Sequence, residues 1–494
     1  MVENQWSRVA SVLDVADRPV LVAGAGVTGR SVAALFANYC DIPVVVADDH
    51  PAAADTLAET TTAPVIKVAE AQQRIEEFSL VVVSPGWRPD APLLTAAQGA
   101  GVPVIGDVEL AWRLDQAGIF GGGAHRWVGI TGTNGKTTTT AMTAHMVTAA
   151  GIPAIAVGNI GTPVLQALAA STPETVLVCE LSSFQLHWTA EFTPDVGVLL
   201  NLAEDHLDWH GGFAEYALAK LQLLRAPTVV VGDDPVLQDA IDTHRETISQ
   251  LRDRSGGQGS WIQFSANDVP AGGVGVAGDR LLLSASAPID HQGCVAGEDC
   301  DLAPAVGISP PGPAGIYDAA AAATAALIVG ADSTAITAAL ASFTVADHRG
   351  QCVHTSSDGV QFIDNSKATN PHAALSAMQL GAPFVWIAGG QLKGADIRPL
   401  LQATSHNISA AIVLGVDRQQ FADALAALAP SIPVVVIDST DPVAAMNEAV
   451  SQAVAAVSRP GVVLLAPAAA SLDMYSGMAE RGNLFAAAAR AYTQ

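Results

Sequence analysis

The chain has 494 residues, a formal net charge of −25 and 50% hydrophobic residues, with 44 glycines and 28 prolines. This length predicts about three domains of ordinary size, and the composition indicates buried α/β structure and excludes disorder. The acidic balance argues against nucleic acid or anionic lipid as the main partner, because both require a basic surface.

The cysteines and the apolar segments indicate the cellular compartment of the protein. The five cysteines show neither metal-type nor paired spacing, which favours a reducing compartment over a disulfide scaffold. Residues 1–15 lack a signal-peptide pattern, and no apolar run reaches 18 residues. We therefore expect a cytoplasmic protein that binds no membrane. We also expect it to be a monomer.

The first segment has the pattern of a nucleotide-binding domain built on a parallel sheet. Gly24-Ala25-Gly26-Val27-Thr28-Gly29 follows a buried-strand pattern and precedes a helical one. The next strand pattern delivers Asp48, and a third delivers Ser84-Pro85-Gly86. Loops at the carboxyl ends of such strands line one crevice, so the pattern predicts a bound diphosphate or ribose, and NAD fits it too.

A second glycine-rich turn, residues 129–138, lies between a strand pattern and a helical pattern. Backbone N–H groups of such a turn, beside the positive end of a helix dipole, hold a polyphosphate. Lys136 adds a charge for the outer phosphates, and the Thr137 hydroxyl can reach a magnesium ion. Position 130 is Ile where the usual phosphate-loop pattern has Gly, so a chance glycine-rich turn stays an alternative.

Acidic residues follow two further strand patterns of the second segment. Glu180 comes directly after one strand, and residues 204–208 after the next contain three acids and His206. An acid at a strand end near a phosphate loop is typical of a magnesium ligand, although a solvated acidic loop is the simpler interpretation of 204–208. Lys220 lies in an apolar helical stretch, where it either extends to water or is semi-buried with a lowered pKa and open to reaction with carbon dioxide.

In the third segment, polar loops repeatedly follow apolar strand patterns. Lys367, Lys393 and Ser471 each lie in such a loop. The pattern predicts a doubly wound sheet whose site lies at one edge. Lysines after two of the strands indicate an anionic or phosphorylated ligand there.

Taken together, these motifs resemble the Mur ligase family over nearly the whole chain. The resemblance rests on seven segments: 131–137, 158–161, 180–186, 204–208, 348–349, 366–370 and 471–473. Segments 366–370 and 471–473, with Gly389-Gly390 and Lys393, look most like the members that add D-glutamate. The Asp-Asn-Pro-Arg segment of the diaminopimelate-adding members is missing.

The resemblance implies an α/β protein of three domains. These are a Rossmann-like domain for the UDP-linked substrate (1–122), a central P-loop-type ATPase domain (123–345) and a Rossmann-like C-terminal domain for the amino acid (346–494). It implies an ATP-dependent amide ligase that adds D-glutamate to UDP-N-acetylmuramoyl-L-alanine through an acyl phosphate, during peptidoglycan precursor synthesis.

The resemblance also implies roles for individual residues. ATP would bind Gly132, Thr133, Asn134, Gly135, Lys136, Thr137, Thr138, Arg349 and Lys367. One Mg²⁺ would bind Thr137 and Glu180, and a second would bind His206 and a carbamate formed on Lys220. Lys136, His206 and Lys220 would be catalytic. The UDP-linked substrate would contact Thr28, Asp48, Ser84, Gly86, Asn159 and Ser182. D-Glutamate would contact Thr369, Lys393, Ser471 and Leu472.

Three positions depart from the family pattern. Asn365 stands directly before Ser-Lys where the family has Asp, and 312–318, with Gly315 and Asp318, lacks the amides expected near adenine. Met478 stands where an aromatic residue is expected near D-glutamate. None removes a catalytic group, so we expect an active enzyme with altered binding constants.

Other functions compete with this interpretation. An NAD-dependent oxidoreductase leaves Lys136, Glu180 and His206 without a role. A folylpolyglutamate- or cyanophycin-type ligase shares the ATPase core, but residues 84–86 suit a UDP pocket better. A nonenzymatic nucleotide switch would not need the lysines that this chain keeps.

Overall fold

The computed structural model describes residues 8–15, 18–40, 42–254, 259–289, 297–380 and 382–492. Within them the chain forms three sheets in two compact units, Met1–Ala303 with Ala320–Ala339 and Pro304–Ala319 with Leu340–Gln494. The first unit contains two sheets and the second contains one. The predicted α/β class is confirmed, whereas the predicted domain borders at 122 and 345 stay predictions.

The first sheet is parallel and covered by helices. Its strands are β1 (Val20–Ala23), β2 (Val44–Ala47), β3 (Val65–Ile66), β4 (Leu80–Val83) and β5 (Val104–Gly106). The helices are α1 (Val9–Val12), α2 (Val27–Tyr39), α3 (Ala53–Ala58), α4 (Val68–Gln73), α5 (Pro92–Gly99) and α6 (Asp107–Gln116). The strand order β3-β2-β1-β4-β5 reverses between β1 and β4, and ligands bind at such a reversal.

The second sheet has nine strands. They are β6 (Arg126–Thr131), β7 (Ala154–Gly158), β8 (Val176–Glu180), β9 (Val196–Leu199), β10 (Thr228–Gly232), β11 (Ser260–Phe264), β12 (Val274–Ala277), β13 (Arg280–Leu283) and β14 (Cys300–Pro304). The order is β14-β13-β12-β11-β10-β9-β6-β8-β7, so β6 lies between β8 and β9 and runs parallel to both. The loops after these three strands therefore meet at one edge.

Helices surround this sheet and connect it to the next. They are α7 (Lys136–Ala149), α8 (Val164–Ala170), α9 (Ser183–His187), α10 (Leu207–His210), α11 (Phe213–Leu221), α12 (Pro235–Thr243), α13 (Arg245–Arg254), α14 (Pro313–Ile328) and α15 (Ser333–Ser342). Among the described residues, none of the helices has the length and apolar character needed to cross a bilayer.

The third sheet belongs to the second unit. Its strands are β15 (Gln351–Thr355), β16 (Val360–Asp364), β17 (Phe384–Gly389), β18 (Ile408–Leu414), β19 (Val434–Val436) and β20 (Gly461–Leu465). Its helices are α16 (Pro371–Ala377), α17 (Arg398–Thr404), α18 (Arg418–Leu428), α19 (Pro442–Ala456) and α20 (Met478–Ala491). The order is β15-β16-β20-β17-β18-β19, and β15 is antiparallel to its neighbour. The predicted doubly wound sheet is confirmed.

Helix α6 joins the first two sheets. The buried Glu109 carboxylate accepts the backbone N–H groups of Ala190, Glu191 and Phe192, which follow α9. Three aligned N–H donors satisfy a buried carboxylate well, so this contact fixes the first domain to the second.

The cysteines differ in part from the expectation. Cys40 and Cys179 are buried free thiols, and Cys352 is an exposed one. Cys300 is disulfide-bonded, so the expectation of an unpaired set is wrong at this position. Sequence spacing does not tell which thiols come within bonding distance. Cys294 lies outside the described residues.

Candidate active site

The phosphate loop connects β6 to α7. Gly135 precedes the helix with φ of 81°, a left-handed conformation that glycine adopts without strain. The Lys136 ammonium donates to the carbonyl oxygens of Gly132 at 2.9 Å and Thr133 at 2.8 Å. The predicted loop thus forms at a helix N-terminus with its lysine lying over it, which suits a polyphosphate.

Side chains from neighbouring elements hold the phosphate loop. The side-chain oxygen of Asn201, after β9, accepts the N–H groups of Thr133 and Asn134 at 3.1 and 2.9 Å. The Thr133 hydroxyl is 2.8 Å from the Tyr216 hydroxyl of α11. The loop conformation is therefore fixed by β9 and α11 as well as by its own glycines.

Glu180, at the end of β8, meets the phosphate loop. The Thr137 hydroxyl donates to its Oε2 at 2.7 Å, and the Asn159 amide donates to its Oε1 at 2.8 Å. A carboxylate beside a hydroxyl offers the oxygen ligands that Mg²⁺ takes when it keeps waters and binds phosphates. Within the described residues, no group of three or more His, Cys, Asp and Glu residues that could hold a metal occurs.

Lys220 is buried beneath the loop, with 2% of its surface exposed. Its ammonium donates to the Gly132 carbonyl at 2.8 Å and lies 4.9 Å from the centre of the Tyr216 ring. Burial, followed by the charge of Lys136, holds the pKa of Lys220 well below its ordinary value. The side chain does not extend to water, so the interpretation of a semi-buried lysine is confirmed.

His206 begins α10 with φ of 52° and lies on the surface side of the same edge. Its side chain is half exposed, 3.5 Å from the Asp205 carboxylate, and its ring is 4.7 Å from the Phe184 ring. Glu204 and Asp208 are exposed. The segment thus follows the strand next to β6, as expected, with most of its charges solvated.

A cavity of about 280 Å³ opens between the first and second sheets of the first unit. Thr28 of α2 and Asn159 of the turn after β7 both line it, so two residues predicted for the UDP-linked substrate meet there. Asp107 and Gln185 line it as well. Cavities at such domain junctions, with few polar groups among apolar walls, are typical ligand sites.

Two further residues predicted for this substrate, Asp48 and Ser182, accept backbone N–H groups of the protein itself, whereas a third, Ser84, does not. The Asp48 carboxylate accepts the N–H groups of Ala25 and His50, each at 2.7 Å, and so fixes the first glycine-rich turn. Ser182 caps α9, because its hydroxyl accepts the N–H of Gln185. Ser84 is half-buried, two residues before Gly86, and its buried hydroxyl oxygen has no hydrogen-bond partner in the described part of the chain.

In the second unit, Asp364 explains the departure at Asn365. Asp364 ends β16 and is fully buried; its carboxylate lies 2.6 Å from His348 Nδ1 and accepts the N–H of Ser366. Burial raises the pKa of Asp364 against the lowering effect of His348. The acid lies one position earlier than in the family pattern and is used to hold the loop that carries Lys367.

Helix α20 approaches this pair closely. A side chain at Gly482 would overlap His348 Nδ1 and Asp364 Oδ2. The glycine makes room for the buried pair.

Arg481, the residue before Gly482, is almost fully buried and reaches three loops. It donates to the hydroxyl and carbonyl of Ser366 and to the carbonyls of Gly389 and Ala469. These loops carry Lys367, Lys393 and Ser471. One guanidinium therefore fixes the loops after β16, β17 and β20.

The other predicted residues of this unit lie near these loops. Lys393 is exposed with φ of 52°, and Leu472 is 64% exposed, whereas Ser471 is buried. Thr369 donates its N–H to the Lys367 carbonyl, and Arg349 follows His348 directly. The second unit thus holds all residues predicted for D-glutamate.

Three family models match the chain: the Mur ligase MurD-like N-terminal domain at 18–106, the Mur ligase middle domain at 130–266 and the Mur ligase glutamate ligase domain at 348–469. The chain is 48% identical over 470 residues to the UDP-N-acetylmuramoylalanine–D-glutamate ligase of Corynebacterium efficiens, covering 95% of this chain and 94% of that one. The chain belongs to the Mur ligase family.

Further comparisons agree with membership of the Mur ligase family. The UDP-N-acetylmuramoylalanine–D-glutamate ligase of Mycobacterium avium is 42% identical over 499 residues, covering 96% of each chain. The solved UDP-N-acetylmuramoylalanyl-D-glutamyl-2,6-diaminopimelate–D-alanyl-D-alanyl ligase of Acinetobacter baumannii has a TM-score of 0.54 at 12% identity, covering 99% of this chain and 98% of that one. That structural likeness shows the Mur ligase fold alone.

Several residues of this Mur ligase were missed by the sequence reasoning. They are Asp107, Gln185, Asn201, Tyr216 and Arg481. Asp107 and Asn201 carry the signal used for Glu180, a polar residue directly after an apolar strand. Tyr216 and Arg481 lie inside helical patterns and carry none, because their roles depend on which loops the fold brings to them.

Proposed function

We propose that this Mur ligase is an ATP-dependent enzyme that joins D-glutamate to UDP-N-acetylmuramoyl-L-alanine. The observation that carries the proposal is its 48% identity, over 95% of the chain, to a protein named for that reaction. The lysine-lined phosphate loop beside Glu180 supports the ATP dependence.

The chemistry follows from the poor reactivity of a carboxylate toward ATP. The alanyl carboxylate attacks the γ-phosphate to form an acyl phosphate and ADP. The neutral amine of D-glutamate then attacks the carbonyl carbon, and the tetrahedral intermediate loses a proton from its nitrogen and expels phosphate to leave the amide. Two anions must be held together for the first step, so cations and N–H donors at the phosphate loop lower its barrier.

Residues of the first unit supply that environment. Lys136 and the N–H groups of residues 132–138 bind the outer phosphates, while Thr137 and Glu180 hold one Mg²⁺. A bound Mg²⁺ neutralises charge on the transferred phosphoryl group. Arg349 and Lys367 of the second unit add nucleotide contacts.

His206 and a carbamate formed on Lys220 would be the protein ligands of a second Mg²⁺. The lowered pKa of Lys220 favours the neutral amine, whose nitrogen adds to the carbon of carbon dioxide while one proton is released. The carbamate oxygen is the kind of ligand that Mg²⁺ prefers. The Gly132 carbonyl keeps Lys136 as its donor when Lys220 is modified.

The substrates divide between the two units. The UDP-linked substrate contacts Thr28, Asp48, Ser84, Gly86, Asn159 and Ser182. D-Glutamate contacts Thr369, Lys393, Ser471 and Leu472. We propose a cytoplasmic monomer whose domains end near residues 122 and 345.

The test measures phosphate release from ATP and Mg²⁺ with UDP-N-acetylmuramoyl-L-alanine, with and without D-glutamate. We expect release that requires both substrates, and little with L-glutamate. A folate with L-glutamate in their place tests the folylpolyglutamate-type alternative. Release that depends on neither substrate would leave only an ATPase and would end the substrate assignment.

A further inference from the structure

The cavity between the first two sheets contains buried oxygens that the protein leaves without a partner. Asp107 and Ser31 line it, and both the Asp107 Oδ1 atom and the Ser31 hydroxyl oxygen are buried with no hydrogen bond from the described residues. Buried polar atoms are nearly always satisfied, so such atoms at a cavity wall indicate a bound partner. Asp107 is the stronger indicator, because an unpartnered carboxylate oxygen costs more than a hydroxyl.

The orientation of Asp107 is set by Gln185. The Gln185 side-chain oxygen accepts the N–H and the hydroxyl of Ser182 at 3.1 and 3.2 Å. Its amide N–H is therefore the group that faces the Asp107 carboxylate and lowers its pKa. The Oδ1 atom has no hydrogen-bond partner among the described residues and remains for a ligand.

We propose that Asp107 is a specificity residue: its Oδ1 accepts a hydrogen bond from an amide N–H or hydroxyl of the amino sugar in the UDP-linked substrate. This assignment rests on the proposed function. It means that Asp107 distinguishes the complete nucleotide sugar from UDP, which lacks that donor.

The surroundings favour a neutral donor over a phosphate. Burial raises the pKa of Asp107 to about 6 against the N–H groups of Val108 and Gln185, which lower it, so the carboxylate is ionised at neutral pH. A phosphate beside it would be repelled, and the turn before α2 offers the phosphates a helix N-terminus instead.

One other titratable group acts with Asp107 from β8, the Cys179 thiol. Burial holds the pKa of this thiol well above its ordinary value, so it is neutral, and its S–H donates to the Glu180 carbonyl. Cys179 therefore leaves Oδ1 without a donor.

The test compares two ligands on the full chain without ATP, by titration calorimetry. In Asp107→Asn, the Gln185 N–H retains the amide oxygen, so an NH₂ group faces the cavity and cannot accept. We expect binding of UDP-N-acetylmuramoyl-L-alanine to weaken by about ten- to a hundredfold, the usual effect of losing a hydrogen bond to a charged group, and binding of UDP to stay within about twofold. Asp55→Asn, an exposed acid in the first turn of α3, is the matched control and changes neither.

The pH dependence gives a second readout. Protonation of Asp107 removes the charged acceptor, so wild-type affinity for the complete substrate falls as the pH drops through about 6. In Asp107→Asn this step is lost. If that variant does not fold, Asp107→Glu, which keeps an acceptor, should retain the step and more of the affinity than Asp107→Ala.

The outcomes separate this assignment from the proposed function. Wild-type protein that binds UDP but not the complete substrate overturns the function and the assignment with it. Wild-type protein that binds the complete substrate while Asp107→Asn binds it equally well overturns the assignment alone. Equal weakening for both ligands would make Asp107 a structural residue and also overturns it.

Discussion

Lys136 and Lys220 donate to the same backbone carbonyl oxygen, that of Gly132, at 2.9 and 2.8 Å. Two amines converge on one acceptor in a place from which Lys220 cannot reach water. Burial and the charge of Lys136 lower the pKa of Lys220, which means that its charged form destabilises the folded protein. Destabilising groups of this kind are retained where function requires them.

Lys220→Met should separate stability from activity. Methionine keeps the volume, and the Gly132 carbonyl keeps its bond from Lys136, so we expect the free energy of unfolding to rise by roughly 0.5–2 kcal/mol while ligase activity is lost. Denaturant unfolding and phosphate release measure the two effects. A variant that is less stable than the wild type would contradict this account of Lys220. With ¹³C-labelled bicarbonate, a carbamate carbon signal should appear in the wild type and be absent from the variant.

Lys136→Met removes the cation over the phosphate loop. We expect the rate of ATP-dependent amide formation to fall about 10²- to 10³-fold, the usual effect of removing one preorganised charge-stabilising donor. Lys67→Met is the control, since Lys67 is exposed and its ammonium donates to the Asp49 carbonyl. Steady-state kinetics with saturating substrates measure this rate. A rate reduced by less than tenfold would show that Lys136 does not bind the transferred phosphate.

Arg481→Lys should loosen three loops at once. A lysine cannot reach Ser366, Gly389 and Ala469 together, so we expect about 3 kcal/mol of lost stability and a raised KM for D-glutamate with less change in the KM for the nucleotide sugar. Arg490→Lys, at an exposed position of the same helix, should change neither. A rise of both KM values by one factor would argue for general damage to the fold.

Glu109→Gln tests the connection between the first two sheets. The amide presents an NH₂ group where the carboxylate accepts N–H bonds, so we expect a loss of roughly 2–3 kcal/mol in the free energy of unfolding. Glu246→Gln, on an exposed face of α13, is the control. Thermal unfolding measures both, and an unchanged Tm in Glu109→Gln would mean that this contact does not stabilise the unit.

His210 should make the first unit sensitive to mild acid. Burial lowers the pKa of His210 to about 4, and burial also lowers that of His187, so the unfolded chain binds protons that the folded chain does not. Stability then falls as the pH drops from about 6.5 toward 4. Asp107, with its raised pKa, works in the opposite direction, so the measurement is the difference between wild type and His210→Gln. We expect the variant to lose less stability than the wild type between pH 7 and 5. If the free energy of unfolding changes equally with pH in both proteins, the role of His210 is contradicted.

Much of this architecture was predictable because parallel strands buried on both faces appear as short apolar runs. β4 and β8 were found in this way, and Glu180 and the loop after β6 were placed correctly because polar loops follow such strands. Burial of Lys220 was not decided by the sequence, since an apolar helical stretch accommodates both a buried lysine and one that extends to water.

Other roles could not be predicted because they depend on distant neighbours. The sequence offers Asp48 as a ribose ligand, and it gives no sign that both carboxylate oxygens also accept backbone N–H groups. Arg481 looks like one more charge in a C-terminal helix. Its guanidinium nevertheless donates to Gly389, 92 residues earlier in the chain, and to Ser366, 115 residues earlier. Departures such as Asn365 are explained only once His348 and Asp364 are seen together.

The close approach of Gly482 to His348 restricts the order in which these positions can diverge. A side chain at 482 would overlap the imidazole and the Asp364 carboxylate, so a substitution there forces His348 and Asp364 to shift. A smaller residue at 348 would make room first, but it would leave Asp364 buried without its imidazole partner. Each route passes through a damaged intermediate, so the three positions are expected to descend as one inherited block.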